Sequence, residues 1–454
     1  MMRQLSTCFA AFGLLCLVQV GCDSDTSKAE TPVPDSGSPA QDAEGPDAGA
    51  PTQNTSIAKS ALARVLDPQV SVADSETFAA DNEAFALAAY HGLATDSGNI
   101  VFSPASISIA LAMTYAGAAG TTAAEMATAM HFSLPPERLH PAFDALDLAL
   151  SSRGEGKLGA DGGPMRLHVV NSVWAEQSYT FKSTYLDLLA TDYGAGLNLM
   201  DFIGNAEAAR VTINTWVEEQ TEEKIKDLLP PGSVDSMSRL VLVNAVYFNA
   251  AWLQPFDPHN TFDGRFNLLD GSTVTAPFMG AHPIQLAAVK GSGFVAVDLP
   301  YQDERLSMLV VVPDAGTFAA FEASLDAAKL DGIVASLASQ PVLLSLPRFR
   351  IETSKALAGL LQGLGMSAAF MPGQADFSGM DGTTRLFIAS VVHKAFIDVA
   401  EKGTEAAAAT GVIMGGSAPT GLDVRADRPF LYFLRDQPTG AILFMGRVLD
   451  PTKS

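Results

Sequence analysis

A chain of 454 residues with 28 basic and 50 acidic side chains, formal net charge −22, lacks the cationic patches that nucleic acid or an anionic membrane surface would select. All three cysteines, Cys8, Cys16 and Cys22, lie in the first 22 residues. The remainder therefore offers no internal disulfide, zinc-thiolate site or cysteine nucleophile.

Residues 1–22 read as an export signal, with Arg3 ahead of an apolar core from Phe9 to Val18 and small residues before Cys22. The segment is too short for a membrane span. Val20-Gly-Cys22 followed by an acidic run is similar to a bacterial lipoprotein cleavage site, which makes Cys22 the lipidation residue; Gln19 departs from that pattern, and plain secretion is the alternative. Both readings predict an exported product, either a cell-envelope lipoprotein or a secreted protein. Membrane contact is expected only through the N-terminal lipid. Residues 23–72 are dominated by Pro, Gly, Ala and Asp and are predicted to form a disordered, acidic tether. The folded domain is expected over 73–454.

Within that domain, Ala79 to Leu93 has apolar residues at helical spacing, and Ser103-Pro104 opens a second apolar helix that runs to Ala116. Met165 to Trp174 alternates like a strand, and Leu240 to Phe248 is apolar enough for the middle of a sheet. Strand signals continue at Phe294 to Pro300, Leu306 to Pro313, Val342 to Ile351, Val391 to Val399, Pro429 to Leu434 and Ala441 to Val448. Helices come early and strands late, which is an α+β pattern.

Catalytic signatures are missing. The sequence has no Gly-x-Ser-x-Gly elbow, and its seven histidines show no His-Glu-x-x-His or His-x-x-x-His spacing. No enzyme, metal site or cofactor is expected. His393, inside an apolar strand, reads by itself as a buried core histidine whose ring nitrogens are satisfied by neighbours.

The run from Glu401 to Met414 is conformationally ambiguous. Glu405 to Ala409 has high helix propensity, but Gly403, Gly411, Gly415 and Gly416 bracket it and Thr410, Val412 and Ile413 favour a strand. As a strand, Thr404, Ala406, Ala408 and Thr410 would put only small groups on one face.

Here the chain resembles the serpins. The resemblance rests on Glu401-Lys-Gly-Thr-Glu405 with its alanine run, and on the C-terminal Asp427-Arg-Pro-Phe-Leu-Tyr-Phe-Leu434 through Gly446-Arg447. Asn99-Ile-Val-Phe-Ser-Pro-Ala-Ser-Ile-Ser-Ile-Ala110, Asn214 to Leu228 and Leu240 to Trp252 carry it further. It implies about nine helices around three β-sheets, a large central sheet and an exposed reactive-centre loop. It also implies a suicide-substrate inhibitor of serine proteases: the cleaved loop inserts into the central sheet and traps the acyl-enzyme. The partner would be the target protease, held covalently by a monomeric inhibitor. A non-inhibitory binding protein and a cross-class inhibitor of cysteine proteases are the alternatives. No heparin-type cofactor is expected, since Thr121 to Arg153, where some serpins carry a basic helix, has only Arg138 and Arg153 as cations.

Residue by residue, the resemblance makes Glu401, Gly403, Thr404, Glu405, Ala406, Ala407, Ala408 and Ala409 the hinge. Ser103, Ser106, Asn244 and His393 become a shutter beneath the sheet, and Trp252 the breach residue at its end. Thr404 is expected to pass from solvent into the sheet on insertion. Spacing from Gly403 puts the reactive bond between Ser417 and Ala418, which suits an elastase- or subtilisin-like protease with a small primary pocket. Met414–Gly415 is the runner-up bond.

Overall fold

The computed structural model describes residues 55–281, 283–404 and 421–454. Its strands begin with β1 (Ser56–Ala58), β2 (Ile100–Phe102), β3 (Arg166–Glu176), β4 (Leu197–Met200), β5 (Leu240–Ala251), β6 (Thr261–Asn267), β7 (Thr273–Gly280) and β8 (Ile284–Lys290). Then come β9 (Phe294–Pro300), β10 (Leu306–Pro313), β11 (Ala338–Pro347), β12 (Phe349–Ala356), β13 (Ile388–Ala400), β14 (Gly403–Thr404), β15 (Leu422–Arg425), β16 (Phe430–Asp436) and β17 (Ile442–Val448). The helices are α1 (Val72–Leu93), α2 (Pro104–Tyr115), α3 (Gly120–Ala129), α4 (Pro136–Ser151), α5 (Ser183–Tyr193) and α6 (Phe202–Gln220). The shorter α7 (Phe318–Ala323), α8 (Ala327–Ala335), α9 (Ala358–Gly363) and α10 (Ser378–Asp381) follow.

The expected α+β class holds. The central sheet has seven strands in the order β1-β4-β3-β5-β14-β13-β12. Every residue of β5 is buried because both faces of the sheet are covered. One face carries Leu240, Leu242 and Val246 into the main core, and the other packs Val241, Val243 and Ala245 against Ala209, Ile213 and Val217 of α6. On the core face sits α2, whose start is set by Pro104 in the first turn and by Ser103, whose Oγ accepts from the Ser106 amide.

A second sheet of ten strands contains β11, which pairs with β8 over its first half and with β7 near its end. Hydrogen bonding is therefore continuous through β11, and among the described residues the two smaller of the three expected sheets share one path. The stretch from Val342 to Ile351, expected as one strand, is two strands in different sheets. The change of sheet falls at Arg348, between β11 and β12, and the Arg348 amide still donates to Pro277 O in continuation of the β11–β7 register.

The predicted tether of residues 23–72 also needs correcting. Residues 1–54, Cys22 among them, lie outside the described residues, but Ser56–Ala58 pairs with β4 and α1 already begins at Val72. Few apolar residues are needed there, since the segment is held by backbone pairing and ion pairs.

Candidate functional site

Strands β5 and β13 lie side by side in parallel from the Ile388↔Leu240 pair to the Ala395↔Val246 pair. Beyond that point they part. Gly403 and Thr404 enter the gap as β14, pairing with Ala251 and Ala250 on one side and with Ala400 and Val399 on the other. Glycine is required at 403, because a Cβ there would lie 2.0 Å from the Ala250 carbonyl oxygen and 2.8 Å from Ala251 Cα.

Thr404 is thus not in solvent, as expected, but fully buried. Its backbone bridges two strands and its Oγ1 lies 2.7 Å from the Tyr301 hydroxyl, so both its polar groups find partners inside. Of the remaining hinge residues, Glu401 is buried, while Glu405, Ala406, Ala407, Ala408 and Ala409 lie outside the described residues, as do Met414, Gly415, Ser417 and Ala418.

Trp252 frames the same gap. Its indole stacks on Tyr301 with centroids 4.4 Å apart, its Nε1 donates to Ala400 O at 3.0 Å, and its amide donates to Lys402 O at 2.9 Å. Glu401 accepts from Arg348 Nε at 2.8 Å and from the Thr261 hydroxyl. Burial alone would raise the Glu401 carboxyl; the hydrogen bonds from Arg348 and Thr261 outweigh it and hold the group below its usual range.

Farther down the seam the four polar residues named from the sequence do meet. The Ser103 amide donates to His393 Nε2 at 3.1 Å, which makes Nε2 the acceptor and leaves Nδ1–H to donate to Asn244 Oδ1. Asn244 Nδ2 in turn reaches Ser106 Oγ. Burial depresses the His393 imidazole to about 3, so it is neutral at physiological pH. One member went unpredicted. Asn171 of β3 accepts from Asn244 Nδ2 and from Ser106 Oγ, the latter at 2.8 Å. Asn171, Asn244 and His393 stand opposite one another on β3, β5 and β13, a polar row across three strands of an otherwise apolar core face. The only sequence signal was a polar residue on the same alternating face as Val169 and Val173.

Comparisons with known proteins identify the family. The family model described as "Serpin (serine protease inhibitor)" matches residues 80–451. The chain belongs to the serpin family. An uncharacterized serpin-like protein of Thermococcus kodakarensis is 40% identical over 370 residues, covering 80% of this chain and 83% of its own length. Leukocyte elastase inhibitor A of Rattus norvegicus is 38% identical over 387 residues, 83% of this chain and 100% of the relative. Among solved structures, the thermophilic serpin tengpin in its native state superposes with a TM-score of 0.74 at 27% identity, covering 83% of this chain and 94% of tengpin. In this serpin the seam between β5 and β13 is filled at one end by β14 and crossed at one register position by the His393–Asn244 hydrogen bond.

Proposed function

We propose that this serpin is a suicide-substrate inhibitor of serine proteases with small primary pockets, of the elastase or subtilisin kind. The observation that carries the reading is β14: the chain entering the reactive loop already sits between β5 and β13, aligned antiparallel to both. A strand continuing from Thr404 would place Ala406 and Ala408 on the same inward face, where their small side chains cost little to bury. The protease serine attacks the Ser417 carbonyl, the bond to Ala418 breaks, and the Ala418 amine leaves with a proton. The freed segment then extends β14 down the seam, carrying the acylated protease with it before water completes deacylation. The family description and the 38% identical leukocyte elastase inhibitor support this target class. No Lys or Arg lies between Lys402 and Arg425 to attract a trypsin-like enzyme. We further propose that Cys22 carries the lipid of an exported protein.

The test is incubation with elastase- and subtilisin-like proteases, followed by denaturing electrophoresis and mass spectrometry of the released peptide. A denaturant-resistant adduct and a peptide starting at Ala418 are expected. Ala408→Arg, which forces a charge into the sheet, is expected to be cleaved at the same bond without forming adduct. Cleavage without any adduct from the unaltered protein would overturn the inhibitor reading, and a peptide beginning at Gly415 would move the bond to Met414–Gly415.

A further inference from the structure

Four residues on four neighbouring strands stand in one row across the central sheet. Ser56 of β1 is opposite Leu199 of β4, Leu199 is opposite Ala175 of β3, and Ala175 is opposite Leu240 of β5. The row marks one end of the sheet. Leu240 is the first residue of β5, whereas β14 enters at the other end of that strand, where Gly403 faces Ala251. Because β1 is antiparallel to β4 and β4 is parallel to β3, β1 climbs from the Leu240 row toward the hinge. The chain ahead of Ser56 therefore joins the domain at the pole opposite the hinge, about 35 Å from it along β5.

Insertion of the loop closes that distance. Gly403 and Thr404 already face Ala251 and Ala250. Carried down the seam in the same antiparallel register, Met414 comes opposite Leu240 and Ser417 lies three residues past it. The acyl bond to the protease then sits at the level where the chain enters β1. With the strand order β1-β4-β3-β5-β14, the two are four strand spacings apart, or about 20 Å to the side.

We propose that the trapped protease comes to rest at the pole where the N-terminal segment enters, and that residues 23–54 are the spacer that admits it between the domain and a membrane holding the Cys22 lipid. Both steps rest on the inhibitor and lipid readings above. Before cleavage the hinge pole faces away from the membrane and is open to proteases in solution. After insertion a body of about 45 Å, the width of a protease domain of about 200–250 residues, has to fit on the membrane side. The 32 residues from Asp23 to Asn54 reach about 110 Å when fully extended and span about 30 Å as a flexible coil. A segment of this length accommodates the protease by stretching, and a much shorter one does not.

The experiment uses the mature chain from Cys22. Cys8 and Cys16 lie in the signal, so this chain has a single cysteine, and a maleimide lipid attaches it to neutral phosphatidylcholine vesicles at that one position. Subtilisin and elastase are each added to the free and the vesicle-bound protein, and adduct is compared with cleaved product. The parent is expected to give the same adduct yield in both settings. Deletion of residues 24–47, which leaves a reach of under about 30 Å, is expected to keep that yield in solution and lower it about tenfold on vesicles. A Gly/Ser replacement of equal length is expected to behave as the parent. In a Cys22→Ser, Ser56→Cys chain, a short photo-crosslinker on exposed residue 56 is expected to capture the protease in the adduct, and not a protease lacking its nucleophile that docks on the uncleaved loop. Equal yields from the parent and the deletion on vesicles overturn the spacer, as does failure of the Gly/Ser chain. A formed adduct without the cross-link overturns the shared pole. No adduct in solution with either protease refutes the inhibitor reading and this arrangement with it, and an exported chain with no lipid on Cys22 overturns the membrane placement while the cross-link still decides the shared pole.

Discussion

The Tyr301 hydroxyl and Thr404 Oγ1 lie 2.7 Å apart, and neither residue is accessible to solvent. Each satisfies the other, so the seat of β14 depends on a pair that a single substitution breaks. Tyr301→Phe keeps the ring stacked on Trp252 and leaves the Thr404 hydroxyl buried without a partner. The expected cost is about 1–3 kcal/mol. It should appear as a lower denaturant midpoint at unchanged slope, accompanied by faster exchange of the Thr404 amide. A midpoint equal to that of the parent would show that the hydroxyl pair does not hold the hinge.

Gly403→Ala attacks the same seat from the backbone side. The new methyl group would overlap the Ala250 carbonyl, which cannot rotate away because it belongs to a central strand. We expect β14 to leave the gap, with a stability loss of about 1–3 kcal/mol and exposure of the Thr404 amide. Adduct yield should fall too, since insertion would have to start again from outside the sheet. Full protection of that amide in the variant would mean that the strands can spread to admit a side chain.

These positions show which parts of the molecule were legible beforehand. The strands around the loop, and the gathering of Ser103, Ser106, Asn244 and His393, followed from local pattern and resemblance. Asn171 did not, because its role depends on the register of β3 against β5, and any alternating strand carries polar residues that register alone distinguishes. The burial of Thr404 was hidden for a related reason: it requires β5 and β13 to part at one end, a property of two strands far apart in sequence. The docking of the segment ahead of α1 was missed because composition measures how much apolar surface a segment can bury. It does not register that Ser56–Ala58 gains ladder bonds at a sheet edge, or that Arg64 has a buried carboxylate waiting for it.

His393 makes the seam pH-dependent. Its imidazole is held at about 3 by burial, whereas in the unfolded chain it titrates near about 6.5. Its depressed value means the folded form binds no proton where the unfolded form binds one. The stability it contributes is complete above the unfolded value and is lost progressively as pH falls toward about 3. Each pH unit in that window removes about 1.4 kcal/mol on account of this one group. His140, depressed to about 4, acts in the same direction, and Glu83, raised to about 7 by burial and Asp331, acts in the opposite one. The comparison that isolates His393 is therefore between the parent and His393→Gln, in which both of the other groups cancel. His393→Gln is expected to be less stable at pH 7, because the amide cannot reproduce both ring contacts, and to lose less stability on acidification. The two denaturant-derived curves should converge between pH values of about 6.5 and 3, with a difference in slope of about one proton. Parallel curves would show that His393 exchanges its proton freely in the folded state, which is incompatible with an imidazole sealed between Ser103 and Asn244.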